Sequence, residues 1–212
     1  TRRVGLIIVT SDRGLCGGFN TNIIKKSSAF LEEHGGRELS MHLVGRKGRD
    51  FFKKRGQTVT GEYIDLFRAL KYDDAARIAR NIMTRYIDKD LDAVYLIYNE
   101  FKSVIQQRVV VERLLPIQSL ETEEAVSAQD YIYEPSPQAL FDVLLPRHVE
   151  FQVLRALYES AAAEFGARMS AMDAATRNAG EMINSLTLFM NRVRQATITK
   201  EIIEVVSGAE AT

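Results

Sequence analysis

"FQVLRALYESAAAEFGARMSAMDAATRNAGEMINSLTLFMNRVRQA", residues 151–196, sets the architecture of this chain. Alternating steps of three and four from Phe151 reach Leu154, Tyr158, Ala161, Phe165, Arg168, Met172, Ala175, Ala179, Met182, Leu186, Phe189, Val193 and Ala196. All but Arg168 are apolar. A 3.5-residue repeat held for about six heptads is the pattern of a left-handed coiled coil. From Gln138 to Ser207 only Pro146, Gly166 and Gly180 weaken a helix. At ~1.5 Å per residue the seam is about 70 Å long, more than a compact domain needs.

Covering that stripe would contribute on the order of 15–25 kcal/mol, an upper estimate because denatured chains already hide some apolar surface. No other segment could form a helix of matching length. The covering element is therefore expected from outside: another protein, a second copy, or a segment preceding Thr1. Arg168 within the seam could set register, pair with an acid on the partner helix, or snorkel to the edge. After Ala196 the repeat slips, and Ile198, Ile202, Ile203, Val205 and Val206 spread apolar surface around the helix. Arg192, Arg194, Gln195, Lys200, Glu201 and Glu204 lie beside them, so the tip expects enclosure by something that supplies polar partners.

Upstream the pattern differs. "VGLIIV" (Val4 to Val9) is a continuous apolar run, as in a strand buried on both faces. A glycine-rich loop follows, then a helix capped by Asn20 or Thr21, carrying Ile23, Ile24, Ser27, Phe30 and Leu31 on one side and ended by Gly35-Gly36. "LSMHLVG" (39–45) predicts a second strand, residues 47–56 a short basic helix, and residues 73–90 an amphipathic helix opened by acids. "LDAVYLIYNEF" predicts a central strand. The β-branched residues 104–116 pair with it or with an edge. Residues 117–137 predict an acidic loop with a small extra strand at Tyr131-Ile132-Tyr133. The expected fold is α/β. A Rossmann-like, mostly parallel sheet with flanking helices occupies residues 1–136, and one long C-terminal coiled-coil helix occupies residues 137–212.

Composition narrows the function. In 212 residues, Lys+Arg and Asp+Glu both number 28, which leaves no overall basic field for nucleic acid. One cysteine excludes an internal disulfide, and three scattered histidines argue against structural zinc. No apolar run reaches membrane-spanning length.

"SDRGLCGGFN" (11–20) is the obvious candidate for chemistry. A phosphate-binding loop needs Lys-Ser/Thr after its last glycine, whereas Gly18 precedes Phe19-Asn20. A dinucleotide fingerprint needs G-x-G-x-x-G, whereas Gly14, Gly17 and Gly18 give G-x-x-G-G. The glycines instead suit a tight turn with positive φ. Cys16 as a nucleophile would need a base, and His34, His42 and His148 are not placed by spacing to supply one. The cations from Arg46 to Arg55 and the acids from Glu121 to Glu124 suit solvated faces, docking of the cations to an acidic surface being the other reading.

"VTSDRGLCGGFNTNI" and "AMDAATRNAGEMINSLTLFMNRVRQATITKEIIEVVSGAEA" together resemble the gamma subunits of rotary ATP synthases, with a match from Arg3 to nearly the end. The resemblance implies a non-catalytic central-stalk rotor, without cofactor or metal, that couples proton-driven rotation to ATP synthesis or hydrolysis. Its implied partners are the alpha and beta subunits, the epsilon subunit, the proton-translocating ring, and an N-terminal helix of its own subunit, absent before Thr1, which would cover the seam. That helix pair sits inside the ring of alpha and beta subunits. Matching positions imply beta-subunit contacts at Arg194, Gln195, Thr199, Glu201, Glu204 and, in the glycine loop, Cys16. The redox-regulatory insertion of chloroplast relatives is missing, which implies a bacterial-type or mitochondrial-type subunit; the bacterial look favours the cytoplasmic face of a bacterial plasma membrane, peripheral and without inserted segments, over the mitochondrial inner membrane. The alternatives are a nucleotide-binding α/β enzyme with a helical dimerisation arm and a free-standing coiled-coil adaptor.

Overall fold

Continuous apolar runs in the first half become strands covered on both sides. A computed structural model describes residues 2–117, 134 and 136–210. Its elements are β1 (Arg3–Val9), α1 (Phe19–Glu33), β2 (Glu38–Val44), α2 (Arg46–Lys53), β3 (Val59–Tyr63), a 3₁₀ turn at Leu66–Arg68, α3 (Tyr72–Ile87), β4 (Ala93–Phe101), β5 (Gln107–Leu115) and α4 (Pro137–Glu210). The sheet order is β3-β2-β1-β4-β5. All pairs are parallel except β4–β5, where the β-branched run folds back as an antiparallel edge strand. Residues expected to form the acidic loop and its aromatic island, 118–133, lie outside the described residues.

Alternation along the strands sorts the core into two layers. Ile7, Val9, Val44, Val94, Leu96 and Tyr98 meet Ile78, Ala79 and Ile82 of α3 and Val149, Val153, Ala156 and Leu157 of α4. On the other face Val4, Leu6, Ile8, Met41, Leu43 and Ile97 meet Ile23 and Phe30 of α1, Phe52 of α2, and Ala163 and Ala167 of α4. Helix α4 thus contributes to both layers. It passes the β4–β5 turn at Gly166, where a Cβ would lie 3.3 Å from the Val104 backbone. A side chain larger than hydrogen would push that turn away.

The change of secondary structure after residue 136 is not where packing divides the chain. The compact units are residues 1–170 and 171–212. The first half of α4 belongs to the sheet domain because it presents a second stripe, Val149, Val153, Ala156, Ser160, Ala163 and Ala167, all buried. In the second unit the described helix is exposed almost throughout.

Helix α1 begins two to three residues earlier than expected, after Gly18, with no side-chain cap. Asn20 is used elsewhere: its Oδ1 accepts from Ser11 N at 3.0 Å, and its Nδ2 donates to Ser11 Oγ at 2.8 Å. Helix α3 carries the expected acids in its first turn, and Asp74 Oδ2 accepts from Lys71 N at 3.2 Å.

Candidate functional site

The glycine loop sits at the C-terminal ends of β1 and β4, the crevice where open α/β sheets hold ligands. The chain itself fills it. The first N–H groups of α2, the helix after the neighbouring strand β2, take their acceptors from the start of the loop. Arg46 N donates to Asp12 Oδ1 at 3.0 Å, Lys47 N to Ser11 O at 3.1 Å, and Gly48 N to Thr10 Oγ1 at 2.9 Å. Gly45, at φ 87°, allows this approach, since a Cβ there would lie 2.2 Å from Thr10 O. Only one of the loop's three glycines, Gly17 at φ 54°, adopts the left-handed region; the other such residue is Leu15, at φ 63°.

Cys16 is 2% exposed, so its side chain is not available for the surface contact that the resemblance implied. It packs with Phe19 and Ile23 beneath the loop and receives Asn20 Nδ2 at 3.2 Å. Leu15, 75% exposed, is the loop's outward apolar side chain. No histidine serves the thiol. His34 stacks on Phe30 and its Nδ1 lies 2.9 Å from Phe30 O, while His148 lies 3.5 Å from Gln152. His42 is fully buried, 3.5 Å from both Arg85 and Tyr63. Burial, and secondarily the Arg85 charge, push its pKa down to about 4, so it is neutral at physiological pH. Three of the four cations of α2 are paired within the chain: Arg46 with Asp65 at 3.1 Å, Arg49 with Asp50 at 2.7 Å, and Lys53 with Glu62 at 2.6 Å. Arg55 lies 3.6 Å over the Phe51 ring. Among the described residues, no group of acids, histidines or cysteine is placed to hold a metal.

What remains is the helix surface. In the sheet domain Phe151, Tyr158 and Phe165 are exposed on α4 while the opposite stripe is buried. Leu154 is half-buried. Arg168 does not project as a free seam charge: its Nη2 donates to Glu164 Oε1 at 2.6 Å and lies 3.4 Å from Gly14 O. Its partners are therefore internal rather than on another helix. Within the second unit Met182, Leu186 and Phe189 are 60–65% exposed, and Met172 and Val193 are less so. The terminal apolar residues Ile198, Ile202, Ile203, Val205 and Val206 are all exposed. So are Arg194, Gln195, Thr199, Glu201 and Glu204. Thr199 Oγ1 donates back to Gln195 O at 2.9 Å, and Lys200 pairs with Glu204 at 3.5 Å.

Three charged ties escaped the sequence reading. Glu150, 5% exposed, accepts from Arg80 Nε at 2.9 Å and from the Tyr72 hydroxyl. Arg155 Nη2 reaches Glu112 at 2.6 Å and the Tyr98 hydroxyl at 3.3 Å. Burial, and then Glu112, push Tyr98 up to about 12, so this phenol stays protonated. Glu164, also 5% exposed, holds Arg168. A three-four stepping begun at Val149 instead of Phe151 would have exposed the stripe these residues flank.

A family model described as ATP synthase matches residues 1–212. Among similar proteins, the ATP synthase gamma chain of Solibacter usitatus is 54% identical over 206 residues, 97% of this chain and 71% of the relative. That of a Geobacter species is 49% identical over 213 residues, 100% of this chain and 74% of the relative. The fold is shared with a chain of the Euglena gracilis mitochondrial ATP synthase (OSCP/F1/c-ring), at TM-score 0.73 and 20% identity over 99% of this chain and 72% of that one. It is shared too with a chain of the Tetrahymena thermophila mitochondrial ATP synthase central stalk and c-ring, at TM-score 0.66 and 24% identity over 82% and 76%. A glycine loop closed by its own side chains and a helix seam left uncovered are thus the features of a chain that belongs to the ATP synthase gamma-chain family.

Proposed function

We infer that this chain is the central rotor of an ATP synthase, turning with the proton-translocating ring and carrying out no chemistry itself. The observation that carries the reading is the exposed apolar seam from Phe151 to Val193 on an unbroken helix, in a chain of this family. Such a surface is stable only when covered. An N-terminal helix of the same subunit is the proposed cover, forming an antiparallel coiled coil inside the ring of alpha and beta subunits. Arg194, Gln195, Thr199, Glu201 and Glu204 then meet the beta subunits, with Leu15 taking the place first given to Cys16 at the glycine loop. The sheet domain meets the epsilon subunit and the ring. Among the described residues no helix is long and apolar enough to cross a membrane. A peripheral position on the cytoplasmic face of a bacterial plasma membrane accords with the bacterial relatives.

Coupling follows from asymmetry. A shaft that touches each of three catalytic subunits differently binds their open and closed states with different affinities. Turning it redistributes those states, and nucleotide affinity changes with them. The competing reading, a nucleotide-binding enzyme, lacks both glycine fingerprints in the loop before α1 and leaves the exposed seam without a role.

The test is assembly of the gamma chain with alpha and beta subunits, followed by ATP hydrolysis. Arg194→Ala with Gln195→Ala is expected to lower coupled turnover severalfold. Unchanged turnover would remove those contacts from the reading. Failure of the unmodified chain to alter hydrolysis at all would remove the rotor itself.

A further inference from the structure

Much of the surface that α4 lays on the sheet domain is a stripe of small side chains: Val149, Val153, Ala156, Ser160, Ala163 and Ala167. Burial of such a smooth surface is non-directional. Displacing the helix by one turn brings one small residue to the place of another, so this stripe alone offers little resistance to sliding or twisting. The exception is Leu157, a large side chain fully buried beside the stripe, while Phe151, Tyr158 and Phe165 are exposed on the opposite face. Leu157 resists slip at one point, and the directional contacts along the helix resist it elsewhere.

We propose that Glu150, Arg155 and the Glu164–Arg168 pair are positioning residues that fix the register of α4 on the sheet domain and so carry torque between them. The proposal rests on the rotor reading. The three ties engage different parts of the domain. Glu150 takes Arg80 and Tyr72 of α3. Arg155 takes Glu112 of β5 and Tyr98 of β4. Arg168, held by Glu164, reaches Gly14 of the glycine loop. A rotation or axial step of the helix breaks its bonds to Arg80, Glu112 and Gly14 together, while the Glu164–Arg168 pair, both on α4, moves with it. Glu150 is 5% exposed and its partners are on α3, so a displaced helix would strand its carboxylate in a dry interface, which opposes the displacement strongly. The ties are keys, and the apolar stripe is the bed they sit in.

The experiment uses ATP synthase assembled with the gamma chain in vesicles, reading proton uptake per ATP hydrolysed alongside hydrolysis itself. Combined Glu150→Gln, Arg155→Met and Arg168→Met is expected to retain hydrolysis while uptake per ATP falls about twofold or more. Should that variant fail to assemble, the Arg155–Glu112 pair decides alone, since both side chains are half-exposed and tolerate change. Arg155→Glu should lower the ratio, and Arg155→Glu with Glu112→Arg should restore it. A merely stabilising role would lower thermal stability and leave the ratio untouched. Full uptake per ATP in the triple variant or in Arg155→Glu overturns the proposal, as does failure of the swap to restore it. No uptake with the unmodified chain overturns the rotor reading instead.

Discussion

Residues 149–167 and 171–210 belong to one helix and face their surroundings in different ways. In the first stretch one stripe is buried against the sheet domain while Phe151, Tyr158 and Phe165 stay more than half exposed on another. In the second, Met182, Leu186 and Phe189 carry the same kind of apolar seam and nothing among the described residues covers it. The difference lies in side-chain size. Small residues let the helix approach its own sheet closely, whereas large ones are held out where a separate surface can interlock with them. Stability of the folded domain should therefore depend on the small stripe and its neighbours, and association on the large one.

The strongest way to break that comparison is Leu157→Ala. Leu157 is fully buried among α3, α4 and the sheet, so its loss should destabilise the domain by about 2–5 kcal/mol in urea unfolding. A change below 1 kcal/mol, the size of a surface effect, would mean that α4 is not part of this core. Acid comes next. His42 has a folded pKa of about 4 against 6.5 for the free side chain, so the unfolded state binds the extra proton. Its contribution is intact above pH 6.5 and is lost as pH falls towards 4, about 3 kcal/mol in all. His42→Asn should flatten the unfolding midpoint between pH 7 and pH 4.5 compared with the parent chain. An unchanged pH slope would show that His42 is not the titrating group. The smallest expected effect is Leu186→Ala, which should move the unfolding of the sheet domain by less than about 0.5 kcal/mol. The seam should nonetheless show itself in sedimentation. The isolated chain is expected to associate with concentration, and Leu186→Glu with Phe189→Glu should abolish that association. A double variant that associates as before would leave the large stripe without a role.

Periodicity made much of this legible. The apolar runs at Val4–Val9 and Leu91–Phe101, the acid-headed helix α3 and the uninterrupted α4 all follow from patterns that local physics enforces. The second stripe of α4 did not stand out, because Ala156, Ser160, Ala163 and Ala167 look unremarkable beside Phe151 and Phe165. Smallness matters only when a sheet is known to lie against it. Asn20 was misread for a related reason. A residue type that caps helices was assigned to the nearest helix start, while its real partner, Ser11, lies across the loop. The family resemblance implied a partner contact at Cys16, yet the loop folds over that side chain. Contacts between residues distant in sequence, such as Glu150 with Arg80, have no local signature at all.

The self-bonded start of α2 latches two turns of the sheet together. Arg46 N, Lys47 N and Gly48 N donate to Asp12, Ser11 and Thr10, so a load applied to the glycine loop reaches α2 through three hydrogen bonds rather than through the backbone alone.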